Sequence, residues 1–110
     1  MTTNRVAAIH MISLDSSTLT GGYDEFVDSL EEACFLIRIV NACNQNIAIS
    51  YNGTQLHDVV PAGTPVQLNF QTNSQPRGKV NLLPKGQRIW ISGPAGVGFV
   101  YFVGYYNEKR

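Results

Sequence analysis

Phe99-Val100-Tyr101-Phe102-Val103-Gly104-Tyr105-Tyr106 is eight residues without a charge. Successive side chains on a strand point to opposite faces. Phe99, Tyr101, Val103 and Tyr105 therefore share one face, and Val100, Phe102 and Tyr106 share the other, with Gly104 between them. Neither face suits water. Such a strand lies centrally in a sandwich or is pressed against another subunit. Phe99, Tyr101 and Val103 are read as core, whereas Phe102, Tyr105 and Tyr106 suit core and interface equally.

Working outward, the pattern repeats. Arg88 to Ser92 alternates Ile89 and Ile91 with Arg88, Trp90 and Ser92, and Gly93 to Gly98 reads as the hairpin loop leading into the last strand. Val66, Leu68 and Phe70 alternate with Gln67, Asn69 and Gln71, one face apolar and the other amide-rich. Thr72 to Gly78 is a polar loop, and Val80 to Leu83 is a short edge segment ended by Pro84-Lys85-Gly86. Ile47, Ile49 and Tyr51 form a strand running into Asn52-Gly53, the signature of a type I′ hairpin. Thr54 to Val60 is its return strand, ended by Pro61-Ala62-Gly63. Cys34 to Asn41 places Phe35, Ile37 and Ile39 opposite a mixed face of Leu36, Arg38 and Val40, and Asn44-Gln45-Asn46 is a tight connection. Val6 to Leu14 is a first strand with Val6, Ala8, Ile12 and Leu14 on one face, interrupted by His10. Asp15 to Thr18 is a polar turn whose side chains suit bonds to nearby backbone. Tyr23 to Ala33 fits two structures: a short helix, from the spacing of Phe26, Val27, Leu30 and Ala33, or an irregular loop.

The expected fold is an all-β antiparallel sandwich or jelly roll of roughly seven to eight short strands, with at most one short helix near residues 23–33. Composition agrees: Val, Ile and Thr favour strands, and the 10 Gly, 9 Asn and 5 Pro favour turns. The 110 residues read as one domain with short polar arms, Met1 to Arg5 and Asn107 to Arg110. Eight basic and eight acidic residues leave no net charge, which argues against a nucleic-acid binder. No apolar run reaches the roughly 20 residues that span a bilayer, so no membrane partner is expected. The polar start does not read as a secretory signal. A neutral, charge-poor β-domain tends to associate, so much of its surface is expected to be covered by a partner.

Catalytic chemistry finds little support. The two histidines and two cysteines form no metal-binding motif, so neither a metal nor a cofactor is expected. Cys34 and Cys43 flank one extended segment of roughly 30 Å, far beyond disulfide reach, and read as free thiols in a reducing compartment. His57 and Asp58 are neighbours on a strand and so point apart. Asp24, Glu25, Asp28, Glu31 and Glu32 cluster in one segment, not across a cleft. The glycines of 93–98 precede a strand and lack the Lys-Ser/Thr of a phosphate loop. The chain is read as non-enzymatic.

The segments SLDSSTLTGGY (13–23), CFLIRIVNACNQNIAISYNG (34–53), HDVVPAGTPVQLNFQTNSQP (57–76) and KGQRIWISGPAGVGFVYFVGYY (85–106) resemble small jelly-roll cement or staple proteins on the heads of short-tailed phages. The resemblance covers about Ile12 to Tyr106. Its most specific parts are Arg38-Ile39-Val40-Asn41, Ile49 to Gly53 and Gly104-Tyr105-Tyr106. It implies a virion structural protein, made in the host cytoplasm and carried on the outer capsid surface. Such a protein decorates the head lattice, bridges major capsid subunits and associates as dimers or trimers. The candidate contact residues are Phe102, Tyr105, Tyr106 and Trp90, with Tyr23 and Phe26 from the irregular segment. Two other roles fit the same residues: a neck or tail accessory protein, and a carbohydrate-binding sandwich using Trp90, Tyr101, Tyr105 and the amides of Gln67, Asn69 and Gln71.

Overall fold

The structure is a computed structural model that describes residues 4–69 and 83–109. Among these are nine strands: β1 (Asn4–Ala8), β2 (Ile12–Asp15), β3 (Asp24–Val27), β4 (Leu36–Cys43), β5 (Ile47–Ser50), β6 (Asp58–Val60), β7 (Pro65–Asn69), β8 (Ile89–Ser92) and β9 (Gly98–Lys109). The first sheet runs β1–β9–β4–β7, with β2 also paired to β9; the second runs β3–β8–β5–β6. All pairings are antiparallel. From β2 onward every connection except β5–β6 passes from one sheet to the other. The orders β2–β9–β4–β7 and β3–β8–β5–β6 are those of a jelly roll, two Greek keys rolled into a sandwich. The expected fold class is the observed one.

The core lies between the sheets and follows the alternation. Ile37 and Ile39 of β4, Ile47 and Ile49 of β5, Ile89 and Ile91 of β8, and Val100 and Phe102 of β9 are all buried. Phe26 meets Phe102 edge-to-face, with ring centroids 5.9 Å apart. Burying each such side chain is worth about 1.5–3 kcal/mol. Asn41 is the buried polar exception. Its amide nitrogen donates to the Gln45 and Val60 carbonyls, both at 2.9 Å, and its oxygen accepts from the Cys43 amide and thiol. It stitches the end of β4 in one sheet to β6 in the other.

Several expectations are corrected. The segment Val6 to Leu14 is two strands, which raises the strand count. The break at Ile9–Met11 reverses the inward face: Ile9, Ile12 and Leu14 turn toward the core, while Val6 and Ala8 turn outward. Residues 23–33 contain no helix; they hold β3 and a bent segment. The helix-like spacing comes from a β-bulge between Glu25 and Val27, which buries the adjacent Phe26 and Val27 together. Leu30 is then pinned by backbone bonds to Gln87 and Gly86. The helical turn that does occur among the described residues is a single 3-10 turn at Ser16–Thr18, capped by Asp15 Oδ1 accepting from the Ser17 amide.

The Asn52-Gly53 turn is not type I′, because only Gly53 has positive φ (77°). Asn52 Oδ1 instead accepts from the Thr54 and Gln55 amides, which widens the loop and shortens the return strand to Asp58–Val60. Residues 93–97 make no hairpin, since β8 and β9 belong to different sheets. That crossing is tied down by the Val97 amide on Asn44 Oδ1 and by the Ser16 hydroxyl on the Gly98 carbonyl. Gly98 has φ +114°, and a Cβ there would collide with the Ala42 carbonyl, so no other residue fits the crossing. The polar ends expected as two arms are paired with each other: β1 runs antiparallel to the end of β9, with Val6 opposite Asn107 and Ala8 opposite Tyr105. β4 pairs with β9 only as far as Tyr105. Phe70, Gln71, the loop 72–78 and most of the segment 80–83 lie outside the described residues. Leu83 itself bridges Cys34.

Candidate interaction surface

The two sheets differ on their outer sides. On the second sheet, the loop after β5 folds back across Trp90. A Cβ on Gly53 would stand 3.1 Å from the Trp90 ring. The Arg88 guanidinium sits 5.0 Å from the same ring and pairs with Glu25. Ser50, though its side chain leaves the core, is fully buried beneath this loop, with its hydroxyl accepting from the Gly53 amide. Tyr51 donates its hydroxyl to Asp58 at 2.8 Å, and His57 Nδ1 accepts from the Tyr51 amide. Burial and the Asp58 carboxylate push the Tyr51 phenol well above its ordinary range. His57 and Asp58 are thus spent on fastening the loop.

The outer side of the first sheet is open and apolar. The register sets its rows. Tyr101 stands between Ser13 of β2 and Val40 of β4; Val103 is beside Arg38; Tyr105 lies between Ala8 and Leu36; Phe99 lies between Asp15 and Ala42. Pro65, Gln67 and Asn69 of β7 continue these rows. Met11 and Val6 are each 62% exposed and Phe99 42%. The Phe99 and Tyr101 rings stack with centroids 6.2 Å apart. Two shallow grooves meet at Arg38, one along Met11, Val40, Tyr101 and Val103, the other along Val6, Phe35, Leu36 and Tyr105. At the outward positions of β2, β4, β7 and residues 99–105, the charged residues are Asp15 and Arg38. The Ser17 amide and hydroxyl hold the Asp15 carboxyl below its usual range, so it is an anion at neutral pH.

The predicted contact residues do not form one surface. Phe102 (0% exposed) and Phe26 (6%) are core residues. Trp90 is half-buried, with the Gly53 loop of its own chain against the ring, and Tyr23 donates its hydroxyl to the Thr54 carbonyl beside that same loop. Tyr106 packs against the core, and Tyr105 alone lies on the open face. Phe99 and Tyr101, read as core, lie on the open face instead, whereas Val103 lines the groove there and also packs against the core. The parity of β9 is the reason: both faces of the strand are apolar, so alternation alone cannot say which one turns inward. The mixed Leu36-Arg38-Val40 face of β4 is the signal that could have found it, because its register partners are Tyr105, Val103 and Tyr101. Trp90 and Tyr101 belong to opposite outer sides, so the sugar-stacking set does not converge. Both cysteines are buried free thiols; burial, aided by Glu32 and Glu31, pushes Cys34 up to about 11. Among the described residues no group of three or more His, Cys, Asp and Glu side chains is placed to hold a metal ion.

The architecture, an all-β antiparallel sandwich in jelly-roll order, is the class to which this chain belongs. No family model matches it, and no curated protein matches it. A solved structure titled "Crystal structure of PirA" is similar over 94% of this chain and 93% of that one, at 16% identity and a TM-score of 0.38. A likeness this distant says nothing about function.

Proposed function

We propose that this protein is a non-enzymatic structural protein of a phage particle, a capsid decoration or cement protein that binds the outer head lattice and bridges major capsid subunits. The observation that carries the reading is the open apolar face of the first sheet. Three aromatic rings and several aliphatic side chains stand there in register, and at the outward positions of β2, β4, β7 and residues 99–105 the charges are Asp15 and Arg38. Leaving such a face in water is costly, and aromatics over a charge-poor centre are the makeup of interface cores. The sequence resemblance points the same way. Two buried, unpaired thiols suit folding in the host cytoplasm before assembly. The mechanism is contact area multiplied by symmetry: each copy adds a modest interface, and a shell that presents many equivalent sites adds avidity.

Quantitative mass spectrometry of intact particles tests this. On a symmetric shell, a decoration protein is expected in hundreds of copies, whereas about a dozen would indicate a neck ring. Absence from the particle overturns the reading.

A further inference from the structure

The open face is self-complementary in a specific way. On the β9 register, Asp15 lies one strand to one side of Tyr101 and two residues toward the start of β9. Arg38 lies one strand to the other side and two residues toward the end. Tyr101 is therefore the midpoint of a diagonal with an anion at one end and a cation at the other, each about 8 Å away across the pleat.

We propose that the occupant of this face is a second copy of the chain, seated face to face about a two-fold axis that passes through Tyr101 perpendicular to that diagonal. Such an axis exchanges the two ends. Arg38 of each copy meets Asp15 of the other, twice per dimer, as an isologous interface requires. The same operation packs Tyr101 on its equivalent. It carries Phe99 toward Val40 of the second copy and runs close to Met11, one of the most exposed apolar side chains. The two β9 strands cross at roughly 70°, near the orthogonal class of sheet packing. Facing sheets stand about 10 Å apart, a gap that an extended arginine and an aspartate span together. Phe99 and Val40 meet across the axis, Val103 faces Ser13, and both charges find opposite charges. A single-sign face would not close this way.

The inference deepens the proposed function by naming the first partner of the face. The two-fold unit carries every remaining surface twice, so it presents equivalent contacts to two capsid subunits. The test uses the full-length protein without particles, so its failure is separable from that of the decoration role. Sedimentation equilibrium should show a dimer at micromolar concentration. Asp15→Arg and Arg38→Asp should each weaken it by at least about tenfold, through two like-charge contacts, and combining them should restore it. Asp15→Asn, which keeps the acceptor for the Ser17 amide, should also weaken the dimer, with an unchanged far-UV spectrum showing that the fold is intact. A monomeric or trimeric wild type, or a double variant no tighter than the singles, would overturn the proposal. A dimer that never appears in particles would overturn the decoration role and leave this proposal standing.

Discussion

At the scale of single residues, Phe102 and Tyr101 are neighbours in sequence with opposite duties. Phe102 fills the space between the sheets against Phe26, while Tyr101 stands on the outer side beside Val40 and Ser13. Phe102→Ala should cost about 3–5 kcal/mol, because it empties a site that rigid neighbours cannot close. Tyr101→Ala should cost the monomer less than about 1 kcal/mol and act on association instead. Urea unfolding of both variants checks the contrast; similar losses would mean the two faces of β9 are misassigned. Asn41 belongs to the same scale. Its carboxamide satisfies four groups where β4 leaves the first sheet, which explains why a polar residue occupies a fully buried position on an otherwise aliphatic strand face.

At the scale of elements, the loop between β5 and β6 decides that the two sheets behave differently. It is held by Ser50, by Asn52, by the Tyr51–Asp58 bond and by the contact of His57 with the Tyr51 amide. Its seat on Trp90 depends on Gly53, which combines positive φ with a close approach to the indole. Gly53→Ala should destabilise the protein by about 1–2 kcal/mol and raise the solvent exposure of Trp90, the sole tryptophan, read as a red shift and stronger quenching by acrylamide. An unshifted emission spectrum would mean that the loop does not shield the indole. The β1–β9 pairing is the opposite case. A two-stranded ribbon is marginal in water by itself. It is anchored where Ile9 enters the core and its amide bonds the Gly104 carbonyl at 2.9 Å.

At the scale of the whole molecule, stability should fall at alkaline pH. Cys34 and Tyr51 are both held protonated by the fold, Cys34 up to about 11 from an ordinary 9.0. The unfolded chain releases these protons at lower pH than the native one. Their contribution is therefore complete below pH 9.0 and is lost as pH rises through about 11, with Tyr51 adding to the loss above its ordinary 10.0. Cys34 alone accounts for less than about 3 kcal/mol, the part that solvent screening leaves. Urea midpoints at neutral pH and near pH 10.5 should separate, and Cys34→Ala should narrow the gap. A flat profile would refute the assignment. Asp15 acts in the other direction: its carboxyl is held low, so its contribution is present above 3.8 and fades as pH falls further.

What the amino-acid order determined by itself is the class and most of the strands. Period-two alternation is a local property, so Ile37/Ile39, Ile47/Ile49, Ile89/Ile91 and Val66/Leu68 are legible as strand faces from their spacing alone. The tertiary structure decided the rest, because each remaining feature depends on residues distant in the chain. The inward parity of β9 follows from which strands flank it. The helix-like spacing near Phe26 follows from a bulge forced by pairing with β8. The form of the Asn52-Gly53 turn follows from the indole beneath it. The open apolar face belongs to this second group. Asp15, Arg38, Met11 and Tyr101 come from three separate segments, and only the register that aligns β2, β9 and β4 places two opposite charges symmetrically about one aromatic ring.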